Sequence, residues 1–223
     1  MTWTGNGVAG REIPHNLGSV PGCIIVKNLE LGTNWIVYHQ GANGGVNPEQ
    51  YSAYLDATNA FMSGGEVVWG DGTTAFAPTS THFTIYSSND LNRASSLNTY
   101  VAYVFAHDAG GFGDDGEQNV ISCGSYVGDG TTNKSKKITL GYEPQFLIMK
   151  PAQSAPSGFN GWNMLDIMRG ITTGGNDPTL LANTNGAEDT TNDLYSVEAD
   201  GFRHTYGGTA GNDNGITYIY IAI

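Results

Sequence analysis

Basic residues are scarce in this chain. Lys and Arg number 9 in 223 residues, against 21 Asp and Glu, for a formal net charge of −12 and a pI of about 4.5. Nucleic-acid binding needs a basic footprint for phosphate, so that class of partner is excluded, as are anionic membrane surfaces. Charge of either sign is also sparse, at 13% of residues. About a quarter is ordinary, so the chain does not read as a solvated disordered tail. Two cysteines, Cys23 and Cys123, cannot make a disulfide framework or a cysteine-based zinc site. They read as buried small apolar residues; a bridge between them is permitted and not demanded. No apolar run approaches the roughly 20 residues of a membrane helix, so no membrane insertion is expected. The start, Met1-Thr2-Trp3-Thr4-Gly5, has neither a basic stretch nor an apolar one, so no secretory signal is expected.

Catalytic signatures are missing too. There is no Walker loop, no G-x-S-x-G elbow and no H-E-x-x-H. Gly5-x-Gly7-x-x-Gly10 and Gly111-x-Gly113-x-x-Gly116 match the dinucleotide fingerprint in letters. That fingerprint requires a strand before it and a helix after it. The first begins five residues from the start, so no strand is expected ahead of it, and it runs into Pro14; the second opens onto Asp114-Asp115, wrong for phosphate. The five histidines, His15, His39, His82, His107 and His204, show no metal-pair spacing. Asp71-Gly72 and Asn212-Asp213-Asn214-Gly215 could offer oxygens to calcium, but the spacing is not that of an EF-hand. Such pairs are also ordinary hairpin turns. No cofactor is therefore expected, with calcium as the alternative, and no catalytic residue is assigned.

What is abundant is glycine, at 32 residues, with 12 tyrosines. Glycine at about double its usual share, together with Tyr and Thr, reads as strands joined by turns rather than helices. The chain also repeats itself with a period near 120 residues. Leu17-Gly18, Pro21, the run Cys23 to Val26 and Lys27 return as Leu140-Gly141, Pro144, Phe146 to Met149 and Lys150. Upstream, Gly5-Asn6-Gly7 returns as Gly128-Asp129-Gly130. Downstream, Trp35 matches Trp162, Leu55 matches Leu181, Phe83 matches Phe202, and the closing run from Thr99 matches that from Thr217. The order is kept throughout, which points to two copies of one domain.

Within each copy the pattern is β. Cys23 to Lys27, Trp35 to His39, Glu66 to Trp69, Phe83 to Tyr86 and Tyr100 to Phe105 read as short strands at about ten-residue spacing. Short helix candidates fall at Pro48 to Tyr54 and Met164 to Met168. The expected fold is all-β: two tandem copies of an antiparallel β-sandwich, or jelly-roll-like domain, with long loops. The copies are placed at 1–108 and 119–223, with a Gly/Asp-rich linker at 109–118. A sheet shared between the halves is the alternative. The closing strands, apolar on both faces, are expected to be central.

The repeat-defining residues Gly18, Pro21, Lys27, Trp35, Gly141, Pro144, Lys150 and Trp162 read as structural. Proline marks a strand start. Lysine at a strand end lays its stem on apolar surface and puts its amine in water. The paired tryptophans anchor two cores. Loops such as Gln40 to Tyr51 and Pro151 to Asn163 carry rings and amides suited to surface recognition. Asn43, Tyr51, Trp69, Phe159 and Asn160 are the candidate recognition residues.

The runs Thr4 to Gly7, His15 to Lys27, Trp35 to His39, Tyr100 to Gly113, Val120 to Tyr126, Gly141 to Gln145, Asp166 to Gly170, Leu181 to Thr184 and Thr217 to Tyr220 resemble a repeated domain. That domain of unknown function occurs in tail-fibre and appendage proteins of tailed bacteriophages, many from marine hosts. The resemblance covers nearly the whole chain. It implies a non-enzymatic virion protein, exposed on the particle exterior, that contributes to host attachment. Its expected partners are other virion proteins, a host cell-surface glycan or protein, and further copies of itself, with a trimer favoured. A capsid or tail decoration protein without an outside ligand is the alternative, and a glycan-degrading appendage enzyme a third. Family members are often much longer, so this chain is either a compact protein of repeats or a fragment.

Overall fold

The structure is a computed structural model that describes residues 1–94, 98–131, 136–171, 174–206 and 208–223. Among the described residues strands dominate, every strand pairing is antiparallel, and the helical content is three short 3-10 turns. Two compact units divide the chain, Met1–His107 and Asp108–Ile223. Residues 109–118 belong to the second unit and fold back on themselves. The Gly111 N–H donates to the Gly116 carbonyl at 2.7 Å, and Phe112 bridges Gln118.

In the first unit the strands are β1 (Thr2–Thr4), β2 (Arg11–Pro14), β3 (Pro21–Asn28), β4 (Ile36–His39), β5 (Tyr51–Tyr54), β6 (Met62–Ser63), β7 (His82–Ile85) and β8 (Thr99–Ala106). The main sheet has the order β1-β8-β3-β4-β5-β6, and β2 pairs β7 in a second sheet. Side chains alternate across a strand, and one face of the main sheet supplies Trp3, Ile24, Val26, Ile36, Tyr38, Tyr100 and Ala102 to a single core. Ile13, Phe83 and Ile85 of the second sheet join the same core, with Trp69 and Leu91.

In the second unit they are β9 (Ser122–Val127), β10 (Lys137–Thr139), β11 (Phe146–Pro151), β12 (Asn163–Asp166), β13 (Leu180–Leu181), β14 (Tyr195–Glu198), β15 (Gly201–His204) and β16 (Thr217–Ala222). The main sheet runs β9-β16-β11-β12-β13 and the second β10-β15-β14. Among the described residues each sheet is built from one unit only, and none is shared between the halves. The closing strands β8 and β16 are interior, as their apolar pattern predicts. β16 is buried throughout, whereas Tyr103 on β8 is half exposed.

The two units share the order β1-β8-β3-β4-β5 and β9-β16-β11-β12-β13 and the pairs β2-β7 and β10-β15, the first adding β6 and the second β14, and they also agree in atomic detail. Trp3 stacks on Tyr100 at 5.5 Å and meets Phe83 edge-on. Tyr126 stacks on Tyr218 at 5.2 Å and meets Phe202 edge-on. Such pairs contribute about 0.5–1.5 kcal/mol beyond burial. The Asn92 side chain accepts from the Asn6 N–H at 2.8 Å and donates to Asn6 Oδ1 and the Val8 carbonyl. Asn212 does the same with the Asp129 N–H, Asp129 Oδ1 and the Thr131 carbonyl. A Cβ on Gly5 would sit 2.5 Å from the Arg93 carbonyl oxygen, and one on Gly128 2.1 Å from that of Asp213. Close backbone approach explains glycine at both.

Several local readings change. Glu66 to Trp69 is not a strand: Gly65–Val67 is a 3-10 turn, entered through a left-handed Gly64, which turns Trp69 into the core. Pro48–Gln50 is a single 3-10 turn and Tyr51–Tyr54 is strand β5, so no helix spans 48–54. Met164 lies on β12 rather than on a helix, because Asn163–Asp166 pairs β11. Leu55 is not the counterpart of Leu181. The Leu55 N–H bonds the Trp35 carbonyl as the Ala182 N–H bonds that of Trp162, so the register sets Tyr54 against Leu181.

Candidate functional site

The repeat-defining residues are structural elements. Gly18 and Gly141 both sit at positive φ, 78° and 87°, the left-handed turn conformation that glycine adopts without strain. Pro21 and Pro144 are buried at or just before β3 and β11. The lysines depart from expectation. Lys27 Nζ donates to the Asn28 and Leu31 carbonyls at 2.7 and 2.8 Å. Lys150 is fully buried; its Nζ donates to the Asn160 carbonyl at 2.5 Å and lies 5.7 Å from the Trp162 ring centroid. Neither amine is simply solvated, because the chain leaving each strand folds its carbonyls over the ammonium. Burial pulls the Lys150 amine down to about 8 from an ordinary 10.5. The tryptophans differ too. Trp162 is buried, whereas Trp35 is half-buried, outside the core, and stacks on Tyr103 at 6.4 Å.

Of the five candidate recognition residues, Trp69 is corrected. It is 1% exposed and meets Tyr38 and Phe83 edge-on, so it cannot touch a ligand without unfolding its surroundings. Asn43 is exposed with φ 51°, and its Nδ2 donates to the Val46 carbonyl. Tyr51 is half-buried on β5. Neither is among the described residues that line the cavity holding Phe159 and Asn160. Phe159 and Asn160 do come together, on one wall of a cavity of about 330 Å³ within the second unit.

That cavity exists because of a difference between the units. From Lys27 to Trp35 the first unit uses residues 28–34; from Lys150 to Trp162 the second uses the longer 151–161. The longer loop is closed by its own bonds. Asn160 Oδ1 accepts from the Ala155 N–H at 2.8 Å, and the Gly158 N–H donates to the Ala155 carbonyl. It is also tied down by Asp213, whose carboxylate accepts from the Ser157 N–H, the Ser157 hydroxyl at 2.6 Å and the Tyr218 hydroxyl at 2.7 Å. The Asp213 N–H meets the Tyr218 hydroxyl as the Arg93 N–H meets that of Tyr100. Asp213 therefore stands where the first unit has Arg93, and its carboxylate receives the extra loop.

The remaining walls come from Asn163 at the start of β12, from the segment after β13 with Thr184, Asp189 and Asn192, and from Tyr206. Phe159 and Tyr206 are half-buried and pack in part against the core. Asp189 is the one carboxylate among the described lining residues. Its Oδ1 accepts from the Thr191 hydroxyl and N–H and its Oδ2 from Asn192 Nδ2. The Thr191 hydroxyl, then its N–H, hold the Asp189 carboxyl below the usual carboxylate range. Among the described residues no Lys, Arg or His lines the cavity. Sequence reasoning did not single out Asn163, Asp189, Asn192 and Tyr206 as one wall; they meet through the pairing of Asn163 with Leu181, the bridge of Asp189 to Thr179, and the bonds of Asn192 to Asp177 and Tyr206 to Leu194. The one legible signal was the longer Lys-to-Trp spacing in the second copy.

The first unit has a more open cavity of about 320 Å³, lined by Gly7, Ser87, Ser88, Asn89, Asn92, Arg93 and Ala94. Among the described residues no cluster of three His, Cys, Asp or Glu could hold a metal. Cys23 and Cys123 are both buried thiols, with no disulfide. No helix among the described residues is long and apolar enough to cross a membrane.

The fold thus defines an all-β protein of two compact units that share most of one strand order, with the more enclosed of their cavities in the second. The chain belongs to the family described as Domain of unknown function (DUF7483), whose model matches residues 1–223. No curated protein and no solved structure matches it.

Proposed function

We propose that this chain is a non-enzymatic virion protein of a tailed bacteriophage, a tail-fibre or appendage module that contributes to host-cell attachment from the particle exterior. The observation that carries this reading is the likeness of nearly the whole chain, in order and spacing, to the repeated domain of phage appendage proteins. The two units are read as tandem β-sandwich, jelly-roll-like domains, each holding its core between a main and a smaller sheet. Rigid sandwiches display loops without an ordering cost on binding. The second unit's long loop is such a display, pinned by Asp213 to the end of β16. Many copies on one particle multiply a weak contact into avidity, and a trimer is the expected assembly. The acidic surface keeps such a particle soluble.

The cavity supports a binding rather than a hydrolytic role. Glycosidases set two carboxyl groups across the scissile bond, and among the described residues the lining supplies Asp189 alone. The test is retention of the purified, fluorescently labelled chain on host cells, with light-scattering mass measured alongside. Saturable retention, rising when the chain is presented as a trimer, is the expected result. No retention at high copy number sinks the attachment role and leaves the decoration reading.

A further inference from the structure

We infer that the cavity of the second unit is a binding site for one neutral pyranose sugar, a residue of a larger surface glycan. The inference rests on the attachment reading only for where such a glycan is met; the site itself stands on its geometry. At about 330 Å³ the cavity lies at the small end of the roughly 300–1,000 Å³ that ligand pockets span, which suits one ring and not an oligosaccharide. Phe159 and Tyr206 give it flat apolar surface, anchored in part against the core, of the kind on which the C–H face of a sugar ring lies.

The polar groups are fixed and complementary. Asn160 spends its Oδ1 on the Ala155 N–H, and its Nδ2 has no partner among the described residues. Asn163 spends its Nδ2 on the Gly161 carbonyl at 3.1 Å, and its Oδ1 has no partner among the described residues. One amide therefore offers a donor and the other an acceptor, each oriented by its own second bond. A sugar hydroxyl both donates and accepts, so it can satisfy the pair. Charge narrows the class. Asp189 is held ionised by Thr191 and Asn192, and among the described residues no cation lines the site to receive a carboxylate or phosphate. An anionic sugar meets repulsion without a compensating partner, and a neutral one does not. Because the loop is tied to Asp213, little ordering cost opposes binding.

The test is a titration of the ¹⁵N-labelled full chain, read by amide chemical shifts, with four neutral probes: glucose, galactose, N-acetylglucosamine and rhamnose. N-acetylneuraminic acid is the anionic control. At least one neutral sugar is expected to shift amides in 155–163 and 179–194, while the anionic sugar shifts none. Asn160→Asp keeps the acceptor for the Ala155 N–H and deletes the amide donor. It should weaken binding about fivefold or more at an unchanged thermal midpoint. The inference is overturned if none of the four moves those amides, if the anionic sugar binds as well, or if Asn160→Asp leaves affinity intact. Retention on cells without sugar-induced shifts overturns this site and spares attachment. Sugar-induced shifts without retention spare the site and sink attachment.

Discussion

Residues 28–34 carry the first unit from Lys27 to Trp35, and residues 151–161 carry the second from Lys150 to Trp162. On either side of this step the scaffolds match. A buried tryptophan or tyrosine stacks on a tyrosine of the closing strand, and an asparagine clasps the turn after the first strand. In the short version the lysine amine is capped by carbonyls of its own turn, Asn28 and Leu31. In the long version the cap comes from Asn160, at the far end of the loop, and the intervening residues become a cavity wall. Copies that share a core are free to differ where the chain leaves a strand, because loop lengthening costs only about 0.6 kcal/mol per doubling.

The comparison can be broken most forcefully at Trp69. Trp69→Ala empties a fully buried site in the first unit and should cost about 3–5 kcal/mol. The loss is expected in that unit's amide protection, with the emission of Trp162 unchanged; simultaneous collapse of both would show that the units do not unfold separately. Next comes Asp213→Ala, which leaves the Tyr218 hydroxyl and Ser157 without their acceptor. It should cost about 2–3 kcal/mol and raise hydrogen exchange across 155–160, a loop the first unit lacks. Asn92→Ala and Asn212→Ala remove the same clasp from each unit. Each should lose about 1–2 kcal/mol in thermal unfolding, and clearly unequal losses would deny that the clasps are equivalent.

The smallest effect is an acid one. The clasped residue is Asn6 in the first unit and Asp129 in the second. The Thr131 hydroxyl and N–H, then the Asn212 amide, lower the Asp129 carboxyl to about 2 from an ordinary 3.8. A depressed carboxyl adds stability above its unfolded value and loses it as pH falls through the folded one. The turn in the second unit should therefore loosen between about pH 4 and 2, and Asp129→Asn should remove that dependence. Amide shifts of 128–131 against 5–8 across the same range check it.

Much of the scaffold was legible because the sequence states it twice. Gly18 and Gly141 mark one left-handed turn, Pro21 and Pro144 one strand approach, and Phe83 and Phe202 one core position opposite Ile13 and Ile138. Burial of the aromatics was less legible. Trp69 lies beside a Gly-Asp-Gly turn that favours exposure, and only tertiary packing draws it inward. The strand period at 48–54 was masked by Pro48, and that at 163–166 by the turn beginning at Asp166, so both read as helix. Phe159 and Asn160 stood out by residue type. Asn163, Asp189, Asn192 and Tyr206 did not, since each becomes part of a wall only through pairings such as Asn163 with Leu181.

The most direct measurement exchanges the loops. Residues 151–161 are replaced with 28–34, whose carbonyls already cap a lysine at the same place, and the chain is assayed for retention on host cells and for the emission of Trp162. If the second unit's loop carries recognition on a scaffold that does not need it, Trp162 stays buried and retention is lost. Retention undiminished in a folded chimera would contradict the account and place recognition elsewhere in the chain.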